Sequence, residues 1–129
     1  MKKYIFGLIF ILLSASAYAA FGGAVTLLLN TSTIGPGESV NYAALGKGMP
    51  MPNRWFQATL NGASAVSATV SVEGSTDNEN WAQIVSAIDL TAASATKAVA
   101  TVQTAPFIRG NLIAISGVGA TVTLRSGQL

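Results

Sequence analysis

Apolar and polar positions alternate in a strand-like way along most of the chain, most clearly in residues 66–84. Val66, Ala68, Val70 and Val72 alternate with Ser67, Thr69, Ser71 and Glu73, the period of two of a strand with one buried face. A polar stretch from Gly74 through Ser75, Thr76, Asp77, Asn78 and Glu79 to Asn80 follows. These residue types form Asx-turns and tolerate positive φ. Trp81 then opens a return strand, and its ring is expected to close over the apolar side of the hairpin.

The same pattern predicts strands on either side. Residues 24–30 are strongly apolar, with Val25, Leu27 and Leu29 expected on one face and Thr26 and Leu28 on the other. Gly35, Pro36 and Gly37 mark a turn before a short strand of Val40, Asn41 and Tyr42. Residues 43–53 read as an exposed loop, because Pro50 and Pro52 each remove a ladder donor. Residues 54–61 return to strand, with Phe56, Ala58 and Leu60 toward the core and Trp55, Gln57 and Thr59 opposite.

Beyond the hairpin, residues 86–97 read as an irregular connection with Ile88 and Leu90 tucked beneath it. Strands are predicted at 98–104, 107–115 and 120–125. The second should be central, with Ile108, Gly110, Leu112 and Ala114 on one face and Phe107, Arg109, Asn111, Ile113 and Ile115 on the other. Ala120, Val122 and Leu124 face inward on the last. Seven or eight short strands with no helix predict an antiparallel β-sandwich, jelly-roll or immunoglobulin-like. No cysteine pair supports a true immunoglobulin domain.

The beginning of the chain does not fit this pattern. Lys2 and Lys3 precede an apolar run over 4–13, and Ala17-x-Ala19 closes a small-residue stretch. That is the layout of a cleaved secretory signal, expected over 1–19. Retention as a membrane anchor would need the apolar run to continue to Gly23. A single domain over 20–129 remains, exported to the cell surface, the periplasm or the medium. It contacts a membrane only through the signal before cleavage.

Cleavage also removes the net charge. Lys47, Arg54, Lys97, Arg109 and Arg125 balance Glu38, Glu73, Asp77, Glu79 and Asp89, so the chain's net charge of +2 belongs to the signal. No basic patch remains to neutralise phosphates, and nucleic acid is not an expected partner. Charged residues make up 9% of the chain, against about 25% in ordinary domains. A near-neutral Ser/Thr surface repels its own copies weakly and favours self-association. Residues 24–30, behind Gly22 and Gly23, read either as the first strand of their own sandwich or as one donated to a neighbouring subunit. Val25, Leu27, Leu28 and Leu29 are the candidate assembly residues.

The chemistry available is thin. The chain has no His and no Cys, which removes the usual general base, thiol nucleophile and transition-metal ligands. Glu73, Asp77 and Glu79 gather near one turn, where a carboxylate pair for glycoside hydrolysis or a Ca²⁺ site is conceivable. Asp77 and Glu79 are the weak metal candidates, but the turn lacks the alternating acids of a dedicated calcium loop. No cofactor is expected. Trp55 and Tyr42 are the candidate ligand contacts, beside the loop at 46–53.

Two segments carry a resemblance. Val72, Gly74, Ser75, Asp77 and Trp81 form one pattern, and Pro106, Arg109 and Leu112 followed by Gly117, Gly119, Ala120, Val122 and Thr123 form the other. Together they resemble small β-sandwich proteins of phage and prophage virions, and also discoidin-like (galactose-binding-like) modules, over roughly the last 60 residues. The resemblance implies a sandwich in which Arg109 pairs with a carboxylate such as Asp89. A secretory signal is foreign to virion proteins and shifts the expectation toward an exported relative. The favoured expectation is therefore a non-enzymatic subunit of a surface filament, matrix or virion-like particle, with other copies of itself as partner. The alternative is a secreted module binding a glycan or a surface protein through exposed aromatics.

Overall fold

The structure is a computed structural model that describes residues 25–41, 54–103 and 105–128. The expected signal at 1–19, Tyr42 and the loop at 43–53 lie outside the described residues. Nine strands form among the described residues: β1 (Val25–Thr31), β2 (Gly35–Pro36), β3 (Val40–Asn41), β4 (Arg54–Asn61), β5 (Ser67–Ser75), β6 (Ala82–Leu90), β7 (Thr96–Thr101), β8 (Phe107–Ser116) and β9 (Thr121–Gln128). They make two antiparallel sheets. One has the order β1-β9-β4-β7; the other has the order β2-β8-β5-β6, with β3 also on β8.

The pairings nest. β1 pairs with β9, β2 and β3 with β8, β4 with β7, and β5 with β6. The chain is thus one long hairpin whose successive rungs alternate between the two sheets, closed by the β4–β9 and β5–β8 ladders. This order is a jelly roll, which decides between the two sandwich topologies expected from the sequence.

Alternation sets the core where the ladders are regular. Phe56, Ala58 and Leu60 of β4 oppose Ser126, Leu124 and Val122 of β9, and all six are buried. They meet Val70, Val72, Ile108 and Leu112 of the other sheet. Arg54 lies on the same inward parity as Phe56 and is 1% exposed. Gly110 is required where the sheets approach: a Cβ there would lie 2.8 Å from both Leu28 Cγ and Leu124 Cδ2.

Three expectations are corrected by irregular register. Leu27 and Leu28 are both buried, not on opposite faces. A register shift between Thr26 and Leu28 sets two β1 residues against one of β9, and such a bulge brings consecutive side chains to one side. On β8 a shift leaves Ile113 as the extra residue, so Ile115 opposes Ala68 toward the core and Ala114 opposes Thr69 outside. Residues 86–90 belong to β6, where Ile88 and Leu90 pair with Val70 and Ala68.

Candidate functional site

The candidate assembly residues lie on β1, at one edge of its sheet. One side of β1 is hydrogen-bonded to β9, and no other strand pairs with it among the described residues. The four residues are not equivalent. Leu27 and Leu28 are core, Val25 is partly buried against the core, and Leu29 is 64% exposed. A cleft of about 420 Å³ runs beside them, walled across from β1 by Gly37, Glu38, Ser39 and Val40. That wall is clamped in place. Gly37 N–H donates to the Gly110 carbonyl at 2.8 Å, and a Cβ on Gly37 would come within 2.7 Å of the Leu27 carbonyl oxygen.

At the opposite edge lies β7, which pairs with β4 over six consecutive residues without a shift. Thr96 through Ala100 are all exposed. Sequence reading placed a strand here but not at a sheet edge, since edge status depends on pairings between distant segments.

The turn carrying Asp77 and Glu79 closes on itself. Asp77 Oδ1 accepts from the backbone N–H of Glu79 and Asn80 at 2.9 and 2.8 Å, and from Ser75 Oγ at 2.9 Å. Its Oδ2 accepts from Asn80 Nδ2 at 2.7 Å. Asn80's side chain, then the backbone amides of Asn80 and Glu79, then Ser75 hold the Asp77 carboxyl far below the usual carboxylate range. Asn78 supplies the positive φ of 64°. Both Asp77 oxygens therefore face hydrogen-bond donors, and among the described residues no group of three acidic or metal-ligating side chains gathers. The arrangement makes a rigid turn.

Two further expectations change at this end. Trp81 does not cover the apolar side: it stacks on Arg109, whose guanidinium carbon is 4.1 Å from the ring centroid. Arg109 and Glu73 are direct partners on the outer face, joined Nε to Oε2 at 2.6 Å. Trp81 precedes the first β6 residue, Ala82, so its ring leaves the turn on that outer face. Asp89 is one strand further away and instead accepts from Thr69 Oγ1 at 2.7 Å.

Trp55 lies on the outer face of the four-stranded sheet and is 39% exposed. Its ladder partners are Ala100 and Gly127, both small, so among the described residues neither rung neighbour covers its ring. The next rungs set Ala98, Gln57 and Arg125 in line, then Thr96, Thr59 and Thr123, then Asn61 and Thr121. Asn30, Gln57, Thr59, Asn61, Thr123 and Arg125 line a depression of about 280 Å³ on this face. Asn30 reaches it through a second β1 irregularity, with φ of 43°. Its N–H donates to Thr123 Oγ1 at 3.1 Å, and that hydroxyl donates to Asn30 Oδ1 at 3.0 Å. The outward residues of β4 and of β9 are each readable in the sequence, but not that they lie side by side. The β9 residues are brought to β4 by a pairing across sixty residues or more.

Comparison of the chain with protein-family models, with curated proteins and with solved structures gave no match.

Proposed function

We propose that this chain is an exported, non-enzymatic structural subunit that assembles with copies of itself through sheet edges. The observation that supports this reading is β7. An edge strand is a template for pairing unless it is guarded by bulges, prolines, charges or brevity. β1 carries two register shifts and β6 is also irregular, while β2 is two residues long and contains Pro36. β7 has an unbroken register, no proline and one charge, Lys97, and Ala98, Val99 and Ala100 are exposed along it.

The low charge of the chain favours the same outcome. So do the resemblance to virion sandwiches and the jelly-roll order, an architecture used by capsid domains. Fold alone does not carry function, so the weight rests on β7 as the least guarded edge.

The test is the size of residues 20–129 by light scattering and negative-stain microscopy over a range of concentrations. Growth into dimers, rings or filaments is expected. A monomer at every concentration would overturn the proposal.

A further inference from the structure

We infer that the outer face of the four-stranded sheet is a binding platform for an acidic saccharide. Trp55 is its stacking surface, and Gln57, Asn61 and Arg125 are its hydrogen-bonding groups. The inference is independent of assembly, since it uses a face of the sheet and not an edge.

The volume and lining of the depression suit a sugar. About 280 Å³ lies just under the ~300–1,000 Å³ range of drug-sized sites, which suits a single ring. Every lining side chain is polar: two amides of the Asn type, one Gln, two Thr and one Arg. A hydroxyl-rich ligand satisfies such groups; a lipid or apolar peptide does not.

The platform is built before the ligand arrives. Asn30 and Thr123 hold each other through two hydrogen bonds, and Thr59 Oγ1 lies 3.2 Å from Thr96 Oγ1. Gln57, Asn61 and Arg125 make no side-chain hydrogen bond among the described residues. They are therefore available to a ligand, and the β4–β9 ladder fixes their spacing. Trp55 is two residues from Gln57 on the same face, one strand repeat of about 7 Å. That is the spacing at which a ring stacked on the indole can present hydroxyls or a carboxylate to the depression.

Charge selects the ligand class. Arg125 is the one charged side chain among the described residues lining the depression. Glu73 and Asp89 lie on the outer face of the other sheet, Asp77 and Glu79 in the β5–β6 turn, and Glu38 between β2 and β3. A lone guanidinium without a protein carboxylate matches a planar anionic group in two-pronged fashion. Among sugars, that group is the carboxylate of an acidic sugar, of which a uronic acid is the simplest probe.

The experiment is isothermal titration of the chain with tetragalacturonate and with its methyl-esterified form, at concentrations where the protein is monomeric. The acid form is expected to bind the wild type and the esterified form to bind at least about tenfold more weakly, the loss of one charged hydrogen-bonded pair. Arg125→Gln should weaken the acid form by a similar factor and leave the ester unchanged. Trp55→Ala should weaken both; should it fail to fold, Gln57→Ala provides the same readout. Absence of binding at millimolar ligand, equal binding of acid and ester, or binding insensitive to all these variants would each overturn the inference.

Discussion

Glu73 on β5 and Arg109 on β8 face each other across the ladder, with Arg109 Nε donating to Glu73 Oε2 at 2.6 Å. Asn111 Nδ2 donates to the other carboxylate oxygen at 3.0 Å, and Trp81 lies against the guanidinium. The two charged side chains are 18% and 23% exposed, so water screens the pair less than it screens an ordinary surface bridge. Arg109→Ala is expected to destabilise the fold by about 1–3 kcal/mol in urea titration, because it removes a charged hydrogen bond and a cation–π contact together. Arg109→Lys should recover only part of this, since an ammonium lacks the planar fork. A loss under about 0.5 kcal/mol would mean the cluster is decoration.

The Asp77 turn gives stability a pH dependence. The folded-state pKa of Asp77 lies below its unfolded value, so its contribution is present above the ordinary carboxylate range of about pH 4. It is lost as pH falls from there through the depressed native value. Asp77→Ala should lower Tm at pH 7, and the gap from wild type should narrow as the pH is taken below about 4. A gap that stays constant into acid would show that the turn does not depend on the ionised carboxylate.

Gly110, Leu28 and Leu124 test how tightly the two sheets are seated. A methyl group at Gly110 must displace Leu28 or Leu124, and overpacking of this kind costs about 1–3 kcal/mol. Leu28→Ala alone leaves a cavity at a buried site, at a cost of about 2–5 kcal/mol. The added methyl then has somewhere to go. The double variant should therefore be less destabilised than the sum of the singles by more than ~0.5 kcal/mol, the usual limit of additivity for independent sites. Strict additivity would show that Gly110 is not packed against Leu28.

These residues also show what the sequence could and could not reveal. Phe56, Ala58 and Leu60, or Val70 and Val72, declare themselves because their ladders are regular and one parity is apolar throughout. The same parity puts Arg54 inside, as the structure does. Leu27, Leu28, Ala114 and Ile115 mislead because a bulge changes parity without any change in residue type. The site is harder still. Trp55, Gln57 and Asn61 are readable as one face of β4, but Arg125 and Asn30 join them only through the β9 ladder and the Asn30–Thr123 bonds. No local pattern contains that neighbourhood.

The two edges of the four-stranded sheet can be tested against each other. Val99→Lys places a charge on β7 at a position already 36% exposed, and Leu29→Lys does so on β1 at one 64% exposed. Both flexible stems can reach water, so neither should disturb the fold by much. If β7 pairs with β7 of a second copy, the contact is two-fold and closed. Wild type then stops at a dimer, Val99→Lys makes it a monomer, and Leu29→Lys changes nothing. If β7 pairs with β1 of the next copy, the contact is head-to-tail, so wild type grows past a dimer into rings or filaments and either lysine stops it. The bulges of β1 and the clamped wall beside Leu27 obstruct that second geometry, so the closed dimer is the expected result. Assemblies whose size neither variant alters would remove the sheet edges from the joint altogether.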